Sequence, residues 1–117
     1  MCALIADDLT GACDAGVQFA KCGLSSHLLF DLAGVGAGAA AVLIANTNSR
    51  GDAPEEAVRK LQACGSLSPN NSRPCLFKKI DSTLRGPAAA EIEAALTVFG
   101  RRLALIAPVW FAKTLAV

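Results

Sequence analysis

The run Lys78-Lys79-Ile80-Asp81-Ser82-Thr83-Leu84-Arg85-Gly86 gathers lysines, a carboxylate, two hydroxyls, an arginine and a glycine at the point where an apolar segment ends and a helical pattern begins. In an open α/β sheet the carboxyl ends of the strands border the ligand crevice, and the following helix presents free N–H groups there. These residue types therefore suit an anionic, hydroxylated ligand. Arg85 offers a bidentate fork to a carboxylate, and Asp81 offers an acceptor that fixes the orientation of a hydroxyl. Ser82 and Gly86 belong to the same candidate set. Strand alternation lets only one of Lys78 and Lys79 face the crevice, and alternation alone does not say which. The plainer reading is a capped helix start, with Ser82 or Thr83 bonding backbone N–H groups and Arg85 solvated. The density of polar groups argues against it.

A second segment of the same design is Ile5-Ala6-Asp7-Asp8-Leu9-Thr10-Gly11-Ala12-Cys13-Asp14. One aspartate is explained by a strand-end turn and a helix N-cap. The second is harder to explain, because adjacent carboxylates repel unless a cation, a metal or ligand hydroxyls compensate. Asp7 and Asp8 are thus candidate binding groups. Thr10 is a candidate helix cap, and Gly11 permits close backbone approach. Asp14, one turn inside the helix, points to the same crevice only if Asp7 or Asp8 does. Ser49 and Arg50 read equally as a loop before a helix cap and as a further anion contact.

The elements that must position these groups follow from the apolar patterning. Residues 2–6 read as a short buried strand and 10–22 as a helix stopped by Gly23. Residues 26–30 form a second strand, 32–40 a Gly/Ala loop and 41–45 a third strand. Asp52 is expected to cap the next helix, with Pro54 in its opening turn, Glu55 completing a D-x-x-E box and Gly65 stopping it after Cys64. Ala57, Leu61 and Cys64 would face the sheet. Residues 75–80 are strand four, 87–99 a helix with Ile92, Ala95, Leu96 and Phe99 on one face, and 102–107 strand five. This alternation predicts an α/β fold, a three-layer parallel sheet of about five strands with helices on both faces, flavodoxin/Rossmann-like.

Composition excludes more than it assigns. A chain of 117 residues, 53% hydrophobic and 18% charged, suits one domain with a core. A net charge of +1 gives no field to steer nucleic acid or an anionic membrane, so neither is an expected partner. The apolar stretch 32–45 is interrupted by glycines and is too short for a hydrocarbon layer about 30 Å thick. No basic region with a signal-like apolar core opens the chain. Cys2, Cys13, Cys22, Cys64 and Cys75 are odd in number and form no C-x-x-C pair, against a disulfide framework or a zinc site. They read as small buried hydrophobes of a protein in the reducing cytoplasm. Gly34-Val35-Gly36-Ala37-Gly38 precedes a strand instead of opening a helix, so it lacks the geometry of a dinucleotide-binding turn, and no P-loop motif is present.

The two polar segments together resemble the four-carbon acid sugar kinase family, whose N-terminal domains carry A-D-D-x-T-G-A-x-D and K-x-D-S-T-L-R-G. Asn46-Thr47-Asn48-Ser49-Arg50 is similar to the family's acidic-Ser-Arg signature after a middle strand. The resemblance runs from about Ala3 to Pro108. It implies an N-terminal substrate-binding domain, partial, over residues 1–108, with residues 109–117 a tail that departs from the family pattern, as in a truncated or frame-shifted product. It also implies an ATP-dependent kinase for a threonate-, erythronate- or oxo-tetronate-type acid, with ATP and magnesium held mainly by a C-terminal domain that this chain lacks. No cofactor is expected on this chain alone. Asp7, Asp8, Asp14 and Asp81 would position hydroxyls, while Arg85, Arg50 and Lys78 or Lys79 balance the carboxylate or the incoming phosphate. The catalytic base stays unassigned. Pro87 stands where the family usually has asparagine, which removes any contact that side chain made.

Two other function classes share features with this sequence. A receiver-type signalling domain shares the acidic pair after strand one, but its phosphorylated aspartate should end strand three, where Ala45-Asn46-Thr47 stands. A sugar-acid binder without catalysis differs from the kinase only in what lies downstream. An uncovered strand five, with Trp110 and Phe111 as makeshift cover, would invite self-association.

Overall fold

β1 (Cys2–Ala6) is buried at all five positions because it is an interior strand, hydrogen-bonded on both sides and covered on both faces. The computed structural model describes residues 2–30, 32, 40–68 and 75–108. After β1 come α1 (Leu9–Lys21), β2 (Ser26–Leu29), β3 (Val42–Asn46), α2 (Pro54–Ala63), a 3-10 turn (Cys64–Leu67), β4 (Cys75–Lys79) and α3 (Ala88–Val98). The strands pair in parallel in the order β2-β3-β1-β4. Ala6 is opposite Asn46 on one side and Lys79 on the other, so β1, β3 and β4 end in one row.

Alternation along the strands divides the core into two layers. Ala3, Ile5, Leu43 and Ala45 pack with Cys64, Leu67 and Phe99, on the side of α2 and α3. Cys2, Leu4, Ala6, Val42 and Ile44 pack with Ala12 of α1. Leu4 and Ile5 are fully buried, and burial of such a side chain contributes about 1.5–3 kcal/mol. The small residues of α1 let it lie close to the sheet: a Cβ added at Gly16 would meet Ile44 Cδ1 at 2.6 Å. Helices thus cover both faces of a parallel sheet, as the alternation implied. The loop after β1 leads to α1 on one face, whereas those after β3 and β4 lead to α2 and α3 on the other. The loops part above the end of β1 and leave a crevice there.

Several local expectations are corrected. Residues 103–108 are extended but form no strand, with Leu103 and Leu105 87% and 97% exposed, so the described sheet has four strands instead of five. Asp52 does not cap α2: the N-cap is Ala53, without a side-chain bond, and Asp52 instead pairs with Lys60 at 2.7 Å. Proline at the first helical position sets the start one residue later than a D-x-x-E box would. Cys64 opens a 3-10 turn that carries the chain past Gly65. The buried face of α3 is Ala88, Glu91, Ala94 and Ala95; Ile92 and Leu96 line a cavity beside β4. Only Cys2 and Cys64 are buried cysteines, while Cys13, Cys22 and Cys75 are exposed on helix surfaces and the sheet edge. The Gly/Ala loop, from 33 to 39, and the tail 109–117 lie outside the described residues.

Candidate functional site

The crevice is built from three strand ends. Asp7 follows β1 and is 2% exposed; Asp8 then caps α1, its Oδ1 accepting the Gly11 N–H at 2.9 Å. A Cβ at Gly11 would lie 2.6 Å from that same Oδ1, so glycine is required for the cap to seat. The segment after β3 is stitched to β1: Thr47 donates from N and Oγ1 to Ala6 O, both at 2.9 Å, and Ser49 N and Arg50 N donate to Asp7 O at 2.9 and 3.2 Å. Arg50 is thereby brought over the end of β1.

Its guanidinium is the centre of the cluster. Nε and Nη2 donate to Asp7 Oδ2 and Oδ1 at 3.0 and 3.1 Å, a bidentate pair, while Nη1 donates to Asp8 Oδ2 at 3.1 Å and lies 3.8 Å from Asp81 Oδ1. This eases the repulsion between the adjacent aspartates: one guanidinium bridges both. The bonds to Asp7, with the field of Asp7, Asp8 and Asp81, hold Arg50 above its usual pKa against the effect of its burial.

The turn after β4 is folded around Asp81. Its Oδ2 accepts from Thr83 N, Thr83 Oγ1, Arg85 N and Arg85 Nε at 3.1, 2.6, 3.2 and 2.9 Å, and Arg85 Nη2 reaches Oδ1 at 2.8 Å. The Arg85 and Thr83 side chains, then their backbone N–H groups, hold the Asp81 carboxyl far below the usual carboxylate range. Leu84 takes a left-handed φ of +58° to close this turn, a strained choice for a side-chain-bearing residue. The Arg85 side chain is 68% exposed, free on its outer side to meet a ligand.

Beneath the crevice lies a buried polar layer. Ser49 Oγ donates to Glu91 Oε1 at 2.6 Å and lies 2.6 Å from Thr47 Oγ1, whose own proton goes to Ala6 O, while Lys78 Nζ is 3.4 Å from Glu91 Oε1. Burial lowers the Lys78 pKa, and Glu91 and Asp7 oppose that shift. The pleat sends the two lysines to opposite faces: Lys78 turns to the α3 side, and Lys79 to the α1 side, where its Nζ donates to Ile80 O at 2.7 Å.

Of the residues singled out from sequence, Asp7, Asp8, Ser49, Arg50, Lys78, Asp81, Arg85 and Gly86 come together here. Thr10 and Asp14 lie exposed on α1, and the helix is capped by Asp8 instead of Thr10. Ser82 is exposed in the turn and borders the cavity beside β4. That cavity, about 690 Å³ between β4, α3 and residues 101–108, is largely apolar, with Lys78 and Lys79 also on its wall. Thr47 and Thr83 stand in the sequence motifs without a site role, and Glu91 escapes the sequence reading altogether. Glu91 carried a signal: it falls on the Ala88, Ala94, Ala95 stripe, and a carboxylate on an apolar helical stripe needs a buried partner.

Residues 2–114 match the family described as sugar-binding N-terminal domain. The chain belongs to this family. The domain is 40% identical over 107 residues to a D-threonate kinase of Salmonella typhimurium, covering 89% of this chain and 25% of the relative. It is 38% identical over 100 residues to a D-erythronate kinase of Heliobacterium modesticaldum, covering 83% and 23%. Among solved structures it is similar to a domain of unknown function from Bordetella bronchiseptica, a domain-swapped dimer with bound citrate, at a TM-score of 0.74 and 36% identity, covering 83% of this chain and 25% of that one. The sugar-binding domain thus spans about a quarter of the length of the curated relatives it matches. Among its described residues no helix is long and apolar enough to cross a membrane.

Proposed function

We propose that this sugar-binding domain is the substrate-binding portion of an ATP-dependent kinase that phosphorylates a hydroxyl of a four-carbon sugar acid such as threonate or erythronate. The observation that carries the reading is the convergence of Asp7, Asp8 and Asp81 around Arg50, with Arg85 on the open side. Carboxylate oxygens fix hydroxyls, and guanidinium groups take the ligand carboxylate or balance an incoming phosphoryl group. Phosphoryl transfer asks chiefly for such positioning and charge stabilisation. The kinase names of the relatives and the citrate bound by the Bordetella structure, a hydroxylated polycarboxylate, support the same ligand chemistry.

In this reading residues 1–108 are the substrate-binding domain, and ATP with its magnesium is held mainly by a further domain of the whole enzyme. Among the described residues no three His, Cys, Asp or Glu side chains are grouped to hold a metal ion, and the crevice carboxylates are engaged by arginines. What these residues do is bind and orient: Arg50 and Arg85 hold the acid group, Asp8, with a side chain 25% exposed, aligns a hydroxyl, and the buried Asp7 and Asp81 hold the two arginines in place. The proposed location is the cytoplasm, where nucleotide and sugar acid meet.

Calorimetric titration of the domain with D-threonate and D-erythronate tests the reading. Saturable binding of either, abolished or weakened in Arg85→Ala, is expected; absence of binding to both by a folded wild-type domain would overturn it. The same preparation with ATP and magnesium is expected to form no ADP above blank, and turnover would refute the division of labour.

A further inference from the structure

Glu91 is 1% exposed, takes no part in the crevice itself, and yet makes two polar contacts at its Oε1, with Ser49 at 2.6 Å and Lys78 at 3.4 Å. We propose that Glu91 is a positioning residue for the sugar-acid site: through Ser49 it sets the segment that carries Arg50, while its charge neutralises Lys78 beneath the crevice. The inference rests on the reading of the crevice as a sugar-acid site.

The path is short and continuous. Glu91 holds Ser49 Oγ; Ser49 is fully buried and its N–H is bound to Asp7 O at 2.9 Å; the next residue is Arg50, which forks Asp7. Thr47 Oγ1 closes the layer: it lies 2.6 Å from Ser49 Oγ and donates to Ala6 O. One carboxylate on α3 thus fixes the side chain on which the loop between β3 and α2 turns. Stability alone does not account for it. A buried ion pair replaced by packed apolar groups is often neutral or stabilising, so Lys78 and Glu91 are poor evidence of a device for holding α3 to the sheet. An apolar pair would take away the carboxylate that Ser49 donates to, however, and its hydroxyl could turn only to Thr47 Oγ1, so the charge-assisted bond from α3 to this loop would be lost. Burial presses Lys78 toward its neutral form, with Glu91 the nearest group resisting it.

The test uses three variants of the whole chain and two readouts. Glu91→Gln keeps an acceptor for Ser49. Lys78→Met with Glu91→Leu removes the pair without leaving a charge unpaired. Ser49→Ala cuts the link and spares the pair. The ligand-free readout is the Arg50 Nε–Hε resonance, shifted and slow to exchange while the guanidinium forks Asp7, and assigned by its loss in Arg50→Lys. It is expected to persist in Glu91→Gln and to move to the position of a free arginine in Ser49→Ala and in the Lys78→Met, Glu91→Leu double variant, with the remaining amide spectrum dispersed. D-threonate affinity is expected to fall about ten- to a hundredfold in Ser49→Ala, as misplacement of a positioning group does. An Arg50 resonance unchanged in Ser49→Ala overturns the proposal, whether or not the double variant folds. If wild-type protein binds no sugar acid, the functional reading fails, and the Arg50 resonance still decides whether Glu91 positions it.

Discussion

Gly86 packs its backbone directly onto that of Arg50. A Cβ placed on Gly86 would come within 2.6 Å of Arg50 O and 3.1 Å of Arg50 Cα, and Gly86 itself has a φ of +82°. The turn that ends in Gly86 carries Asp81 and Arg85, so this contact sets one cationic arm of the crevice against the other. The glycine of the D-S-T-L-R-G run therefore has a structural cause independent of any ligand contact.

Gly86→Ala is expected to destabilise the fold by about 1–3 kcal/mol, since a left-handed φ and a backbone clash both oppose the methyl group. The same change should displace Arg85 and weaken sugar-acid binding. Thermal unfolding beside titration with D-threonate measures both, and a variant as stable as wild type would show that the turn has room to move.

The two arginines should separate stability from affinity. Arg50→Ala leaves Asp7 buried without its fork; breaking a fully buried pair costs about 3–5 kcal/mol, and the loss here should be nearer 2–3 kcal/mol because solvent reaches part of the pair. The Arg50 side chain is 25% exposed and that of Asp7 4%. Arg85 stands mostly in solvent yet bonds the buried Asp81, so Arg85→Ala should cost clearly less stability than Arg50→Ala while lowering sugar-acid affinity about tenfold or more. Denaturant titrations of both variants, with calorimetry on the folded one, check the contrast. Equal destabilisation by the two substitutions would contradict it.

The supports of this crevice were unevenly legible in the sequence. Asp7, Asp8, Asp81 and Arg85 stood out because strand-to-helix junctions with paired charges have few bland explanations, and β1, α1 and β4 were clear from continuous apolar runs bounded by glycine or polar turns. Glu91 was hidden because its partners lie 13 and 42 residues away, Lys78 on β4 and Ser49 after β3; periodicity reports which face is buried, never what waits there. Strand five was expected because residues 103–107 are a short continuous apolar run, but such a run supplies no partner, and among the described residues none pairs with it. The cysteines misled for a related reason: the residue type favours burial on average, and three of the five sit at exposed positions.

Alkaline pH should destabilise the domain through Cys64. Burial pushes its thiol from the ordinary 9.0 up to about 11, helped by Glu91 and opposed by Lys78. The raised folded value means that the contribution is fully present below 9.0 and is lost as pH rises toward 11. The slope for one such group is about 1.4 kcal/mol per pH unit. Lys78 acts with the opposite sign, because its lowered value makes the unfolded chain bind more protons just below 10.5. A difference measurement isolates the thiol: the stability of wild type minus that of Cys64→Ala should fall between pH 9 and 11. A flat difference would mean that the thiol does not stay protonated in the fold.

Self-association is the last expected outcome. β4 is the last strand in the sheet order, with nothing described beyond it, Phe77 is 43% exposed there, and Leu103, Leu105 and Ile106 stand 87%, 97% and 52% exposed on the segment beside it. An open edge flanked by apolar side chains is a template for pairing with another copy, and covering such surface contributes about 25 cal/mol for each Å² removed from water. The purified domain should therefore show a weight-average mass that rises with concentration in sedimentation. Leu105→Glu changes a side chain that makes no core contact, so it should fold as wild type does while shifting the distribution toward monomer. A wild-type domain that sediments as one monomeric species across the whole series would show that the edge is already satisfied, and that the apolar segment covers it better than its exposure implies.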